Sequence, residues 1–336
     1  MNIGKIEQGL KLFLKSIDIL QQALDSSFID AVIESGDNLN DGKILVENGQ
    51  PSQSKQIELT AIYDEISQLN LKREQKRQLL QFALLKAEQV DKIQTNHQLT
   101  PDVSGILISS LLQNFLNKSQ PSLILDLAVG TGNLLFTVAN NLEKAGFKKL
   151  ELSGIDNDDT LLAVASMSAH WQKTAVELFH QDAVEPLVTR KADVVISDLP
   201  VGYYPLDKRA ANFVVHAAKG HSFTHFLLIE QAMLQLKPGG LGVFLIPKDV
   251  FKTTQSNQLL SMIQENGYFQ GLLNLPSDLF TDEKAQKAIL LLQKKGKQAH
   301  QAEPVLIGEF PSVKEHQEVA DFIQQIKQWQ KENLDY

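Results

Sequence analysis

Asp126 and Asp198 each stand where a run of apolar residues breaks into a tight turn, a place where a carboxylate can hold a ligand or steer a reaction. Residues 124–127 lead through Ala128 and Val129 into Gly130, Thr131, Gly132 and Asn133. Glycines at such a point let backbone and ligand approach closely before a helix begins, and the helix start offers free N–H groups. Residues 194–197 lead into Asp198, Leu199, Pro200 and Val201, followed by Gly202, Tyr203 and Tyr204. Proline stiffens that turn, and the tyrosines bring flat faces to it. The first turn is expected to bind a cofactor and the second to carry the chemistry.

A Gly-x-Gly turn between strand and helix serves many nucleotide enzymes, so its surroundings decide what it holds. The dinucleotide fingerprint wants a third glycine three residues on, where this chain has Leu135. A carboxylate at 126 repels phosphate but suits a ligand bearing an ammonium group, such as the methionine end of S-adenosylmethionine. The next apolar run, 150–155, ends at Asp156 and Asn157, where an acidic side chain can accept hydrogen bonds from ribose hydroxyls. Residues 176–180 lead into Gln181, Asp182 and Ala183, placed to reach an adenine ring. In an open parallel sheet three such strand tips line one crevice. Any one of these carboxylates reads equally well as a helix N-cap, but three caps in succession are a poorer account. At the second turn, an exocyclic purine amine is a weak nucleophile because its lone pair is delocalised into the ring. Asp198 and the Leu199 carbonyl, accepting its two hydrogens, would redirect that pair toward an incoming methyl group. Such a transfer needs positioning but neither a covalent enzyme intermediate nor a metal. The chain has no cysteine, which excludes a thiolate nucleophile.

The elements that must position these residues follow from periodicity. From Ser122 onward strand and helix alternate: strands are expected at 122–127, 150–155, 176–180, 192–197, 240–246, 271–274 and 288–292, a doubly wound α/β sheet. Ahead of it, Ile6, Leu10, Phe13, Leu14, Ile17 and Leu20 recur at helical spacing between charged residues. That is an amphipathic helix, neither a signal peptide nor a membrane span. Residues 35–56, rich in Gly, Asn, Asp, Ser and Gln, read as a loop, and Ile62, Ile66, Leu69, Leu79, Leu80 and Leu84 predict further helices ending near Val90. Three units are expected: an N-terminal helical domain over 1–95, a catalytic domain over 96–310, and a C-terminal helix over 311–336 burying Val319, Phe322, Ile323, Ile326 and Trp329.

Over residues 95 to 296 the chain resembles the class I S-adenosylmethionine-dependent methyltransferases, and within them the N6-adenine-specific DNA methyltransferases of the gamma class. Gln98, Leu99, Thr100 and Pro101 look like that family's leading cofactor motif, Asp126 to Asn133 its glycine motif, Asp156 its ribose acid and Asp182 its adenine contact. Asp198, Leu199, Pro200 and Val201 stand where the family has Asn or Asp, Pro, Pro, then Tyr or Phe. Residues 274–280 and the following 288–292 are similar to the late motif of type I modification subunits, and the YtxK-like branch is the nearest likeness. The resemblance implies a seven-stranded sheet of order 3-2-1-4-5-7-6 with the seventh strand antiparallel, S-adenosyl-L-methionine as cofactor, and adenine N6 in DNA as the leading acceptor. It also implies cofactor contacts from Thr100, Pro101, Asp126, Ala128, Gly130, Gly132, Asn133, Asp156, Asn157, Asp182 and Ala183, with catalysis by Asp198, Leu199 and Pro200. Leu199 and Val201 depart from the pattern, and Tyr203 or Tyr204 is the candidate to replace the missing stacking ring.

Charge and size qualify that picture. With 336 residues, 43% hydrophobic, the chain can bury one large core and a smaller one. A formal charge of -8 is the wrong sign for broad attraction to phosphate. Lys72, Arg73, Lys76 and Arg77 form a local basic run that reads either as a nucleic-acid patch or as an ordinary solvated helix face. About forty residues follow Leu292, too few for a target-recognition domain, so a separate specificity subunit is one expectation. The alternatives are an RNA or glutamine amino-methyltransferase, or a cofactor-binding protein without transfer activity; a nicotinamide oxidoreductase comes last. The lack of cysteine fits a cytoplasmic location, though secreted bacterial proteins can also lack it. His221 and His225, four apart, have no evident third ligand, so no metal is expected. The segment 207–220 is read either as a lid or as a surface connection.

Overall fold

The computed structural model describes residues 3–91, 99–253, 255–280, 282–296 and 298–334. Four helices come first: α1 (Ile3–Leu24), α2 (Phe28–Asp41), α3 (Gln53–Gln68) and α4 (Arg73–Val90). The expected loop at 35–56 is shorter than its composition suggested, because α2 runs through Asp41. Ser27 caps its start, and Gly42 ends it in the left-handed conformation at φ 66°. Polar residues inside α2 are buried and satisfied: the Ser35 hydroxyl bonds Ser16 at 2.6 Å and accepts the Tyr63 hydroxyl at 3.2 Å. Gly36 lets α2 pack tightly, since a Cβ there would lie 2.3 Å from Met167 Sδ.

Then come α5 (Asp102–Leu112), β1 (Ser122–Asp126), α6 (Asn133–Lys144), β2 (Leu150–Asp156), α7 (Asp159–Gln172), β3 (Glu177–His180) and β4 (Ala192–Asp198). The second half holds the short α8 (Asp207–Ala210), α9 (Thr224–Gln235), β5 (Leu236–Pro247), α10 (Ser256–Asn266), β6 (Gly267–Asn274), β7 (Lys287–Lys294), β8 (Leu306–Glu309) and α11 (His316–Asn333). The sheet order is β3-β2-β1-β4-β5-β7-β6-β8. β1 to β5 are parallel and β7 runs antiparallel between β5 and β6, as the resemblance implied. The expected count of seven strands is corrected to eight: β8 adds in parallel to the edge of β6. Four residues whose side chains only half alternate between cover and solvent carry little periodic signal, which is why β8 escapes a pattern search.

Alternate residues of the central strands feed two cores. Ile124, Val194 and Ile196 face α5, α6 and α11, whereas Leu123, Leu125 and Val195 face α9 and α10. A third core joins the N-terminal helices to the outer face of α7 through Val164, Met167 and Trp171, the last stacked on Phe13 at 5.5 Å. The helical layer is therefore seated on the sheet domain. The basic run at its C-terminal helix does this work: Arg73 donates to the Gln172 carbonyl and Lys76 to the Trp171 carbonyl, while Arg77 is buried among carboxylates. No helix among the described residues is long and apolar enough to cross a membrane.

Candidate active site

Parallel pairing puts the carboxyl ends of β1, β2, β3 and β4 at one edge: Asp126 is level with Gly154 and Ile196, and Asp156 with His180. At the end of β1 the chain turns through Gly130 at φ 51° and Gly132 at φ 78° before α6 starts. A Cβ on Gly130 would meet nothing within 4 Å, so the loop has open space above it. A Cβ on Gly132 would lie 2.4 Å from Phe136 Cε2, so both backbone angle and packing demand glycine there.

Asp126 is 1% exposed. One carboxylate oxygen accepts the Ala128 N–H at 3.1 Å and the Ser197 hydroxyl at 2.8 Å, and the other is buried with no hydrogen-bond partner among the described residues. Burial raises its pKa to about 7, partly offset by those two hydrogen bonds, with the charges of Asp156 and Asp198 pushing the same way as burial. Asp156 accepts the Gly130 N–H at 2.7 Å and the Asp158 N–H at 3.0 Å, linking the tip of β2 to the glycine turn; its pKa is also raised, chiefly by burial. Asn157 gives its carbonyl to His180. Asp182, after β3, accepts the Val184 N–H, the Tyr204 hydroxyl at 2.6 Å and an Arg209 N–H at 3.0 Å, so this carboxylate ties the tip of β3 to the second turn, and Ala183 is buried beside it. Tyr204, buried and donating to Asp182, has its pKa pushed up to about 12, first by burial and then by that carboxylate.

Asn133 and Thr100 join the two turns. Asn133 donates to the Thr100 carbonyl at 2.8 Å, and the Thr100 hydroxyl donates to Asp198 Oδ2 at 2.8 Å. Pro101 opens α5 just beyond, and Gln98, the head of the expected motif, lies outside the described residues. The other Asp198 oxygen is ion-paired with Lys287. Leu199 explains its own departure from proline: its N–H donates to the Leu245 carbonyl at 3.1 Å and its side chain is buried in the core, neither of which proline supplies. Pro200 is hydrogen-bonded through its backbone to His225, whose pKa burial pushes down to about 4 against the opposite pull of that bond. Tyr203 is 62% exposed and stacked on Phe223, centroids 4.9 Å apart at 19°. His221 bonds Asp207 instead of sharing a ligand set with His225. The segment 207–220, read as either a lid or a surface connection, is partly anchored: Ala210, Phe213 and Val215 are buried, and Glu230 accepts the N–H groups of Val214 and Val215.

Sequence reasoning missed three participants. Ser197 holds Asp126, Arg77 donates to Asn133 at 2.6 Å from the helical layer, and Lys287 pairs with Asp198. Lys287 was findable: an antiparallel β7 must begin at the edge where β4 and β5 end, so its first residue falls beside their tips.

The buried oxygen of Asp126, with no partner among the described residues, and the open space over Gly130 fit a cofactor with a cationic end, and Asp156 lies at the tip of the neighbouring strand. Residues 87–333 match the model of the N-6 DNA methylase family, and residues 7–87 match the YtxK N-terminal helical domain. Protein YtxK of Bacillus subtilis (strain 168) is 38% identical over 314 residues, 93% of each chain. A crystal structure from Listeria monocytogenes, assigned to the class I S-adenosylmethionine-dependent methyltransferases, is 38% identical with a TM-score of 0.90 over 97% of this chain and 99% of that one. The methyltransferase subunit of a type I restriction-modification system from Streptococcus thermophilus shares the fold at 13% identity, TM-score 0.62, over 93% of this chain and 73% of that one. The chain belongs to the N-6 DNA methylase family, as a class I methyltransferase whose cofactor is S-adenosyl-L-methionine.

Proposed function

We propose that the protein transfers a methyl group to an exocyclic amine, adenine N6 in DNA. The observation that carries the reading is the pairing of two carboxylates: Asp126 is buried below the glycine turn, and Asp198, held by Thr100, stands at the adjoining strand tip. Bound across the strand tips, S-adenosyl-L-methionine supplies an electrophilic methyl group on sulfur. Asp126 would attract its ammonium end, with Ala128, Gly130, Gly132 and Asn133 shaping the turn around it. Asp156 and Asn157 would hold the ribose, and Asp182 and Ala183 the adenine side, with Thr100 and Pro101 closing the crevice. Asp198 and the Leu199 carbonyl each accept one hydrogen of the target amine, aiming its lone pair outward. As the C–N bond forms, the methyl–sulfur bond would break and its electron pair would stay on sulfur as a neutral thioether; the methylated nitrogen becomes acidic, and Asp198, already hydrogen-bonded to it, would take the surplus proton on its way to solvent. Pro200 stiffens the turn, and Tyr203, braced by Phe223, offers a free ring face for an extruded base in place of Val201.

In this reading residues 1–95 form a helical domain, 96–310 the catalytic domain and 311–336 a closing helix. Any reading of duplex sequence would come from a partner subunit, as the type I relatives suggest. The test is transfer of tritiated methyl onto separated DNA, RNA and protein from a deletion strain. Label is expected in DNA as N6-methyladenine and lost in Asp198→Ala, with cofactor affinity changed by less than about threefold, since that side chain steers the acceptor and not the cofactor. Label confined to RNA or protein would overturn the acceptor assignment.

A further inference from the structure

We propose that Lys287 is a specificity-determining residue that reads the atom next to the reacting amine, restricting acceptors to amines flanked by a lone-pair atom, as adenine N6 is by N1. The inference rests on the amino-methyltransfer reading above and narrows it. Lys287 opens β7, opposite Pro247 at the end of β5, while Asp198 is level with Leu245 of the same strand. The ammonium reaches Asp198 Oδ1, and Thr100 occupies Oδ2. The side chains are 27% and 15% exposed, so the pair is partly accessible at the carboxyl ends of β4 and β5.

Hydrogen-bonding capacity decides what such a pair can bind. Each carboxylate oxygen accepts about two hydrogen bonds, so Asp198 still has room for an amine N–H, and a lysine ammonium with one hydrogen on Asp198 keeps two for other acceptors. The site thus presents an acceptor and a donor side by side. Adenine's N6–H and N1, both attached to C6, offer the complementary donor and acceptor side by side on one edge of the base. A cationic amine, such as a protein lysine, meets like charge in Lys287 and has no lone-pair neighbour to satisfy it. A purely structural role, an ion pair that anchors β7, would not distinguish between neutral acceptors.

The experiment measures kcat/KM of the intact protein on single-stranded oligonucleotides carrying adenine, 1-deazaadenine or 7-deazaadenine, for the parent and Lys287→Met. The parent is expected to lose at least about tenfold on 1-deazaadenine, the size of one hydrogen bond to a charged group, and to change little on 7-deazaadenine. Lys287→Met should lose at least about tenfold on adenine and treat adenine and 1-deazaadenine alike within about twofold, with unchanged cofactor affinity. If the variant slows all substrates equally and keeps the parent's preference, Lys287 is only an anchor and the proposal is wrong. Equal parent rates on adenine and 1-deazaadenine overturn it too. A parent that methylates none of the oligonucleotides, while labelling RNA or protein, defeats the adenine reading itself and this inference with it.

Discussion

Asp126 combines three properties that rarely coexist in an idle carboxylate: near-complete burial, an oxygen without a partner among the described residues, and a pKa raised to about 7 by desolvation. The folded chain without cofactor binds a proton there that the unfolded chain has already released. Between the ordinary carboxylate range and about pH 7, the native state therefore holds more protons, and stability falls as pH rises through that window. A cationic ligand end reverses the preference, because it favours the ionised carboxylate. Cofactor affinity is accordingly expected to rise with pH and level off above about 7, with proton release on binding. Calorimetry in two buffers of different ionisation enthalpy measures this directly, and Asp126→Asn should bind several-fold more weakly at pH 8 with the pH slope gone. A slope that persists in the variant would assign the titration to another group. Gly132→Ala tests the turn separately. A left-handed backbone and a collision with Phe136 should lower cofactor affinity and stability together, by about 1–3 kcal/mol in the melting analysis.

A hydrogen-bonded joint ties α4 and the helical layer to the candidate site. Arg77 is 2% exposed and donates to Glu74, Asp102 and Asn133; Asp102 lies at the start of α5 and Asn133 at the start of α6. From Asn133 the hydrogen bonds continue through Thr100 to Asp198. Replacing Arg77 by Met leaves two partly shielded carboxylates facing one another without their counter-ion, so a loss of about 3 kcal/mol is expected, the lower end for a broken buried pair because both acids retain some solvent. Denaturant unfolding measures it, and a change below about 1 kcal/mol would mean the layer is held by its apolar contacts alone. The sequence announced α4, α6 and the two turns but not α5, because apolar period and glycine or proline chemistry are local signals. Arg77, Asn133 and Thr100 could not be joined from it, since their meeting is set by how α4 lies across α5 and α6. Lys287 lies 89 positions from Asp198 along the chain, and the antiparallel direction of β7 is the signal that brings it to the tips of β4 and β5. The extent of α2 was misjudged for the opposite reason: its Ser, Gly and Asn residues look like loop composition until Ser16, Tyr63 and Met167 satisfy and cover them.

At the scale of the whole molecule, charge sets how the proposed DNA acceptor would be met. The formal charge is -8, and three of the four side chains in the basic run at 72–77 are engaged within the protein: Arg73 with Glu143 and Gln172, Lys76 with Trp171, and Arg77 with Glu74 and Asp102. Arg209, one of two remaining arginines, bridges Asp182 and Glu185, and Arg190 bridges Glu151. Binding of duplex DNA by this chain alone should therefore release few counterions. Fluorescence anisotropy with a short duplex is expected to give weak binding and a log–log salt slope of magnitude about 3 or less between about 50 and 200 mM salt, against the much steeper dependence of proteins that make many phosphate contacts. Single-stranded oligonucleotides containing adenine should bind better in the presence of cofactor, because an unpaired base reaches Tyr203 and Asp198 without the energy of leaving a duplex stack. A steep salt slope on duplex DNA would mean that a phosphate-tracking surface assembles despite the net charge, and duplex recognition would then belong to this chain without a partner. A shallow slope together with cofactor-dependent single-strand binding would put substrate selection at the crevice and leave duplex reading to another protein.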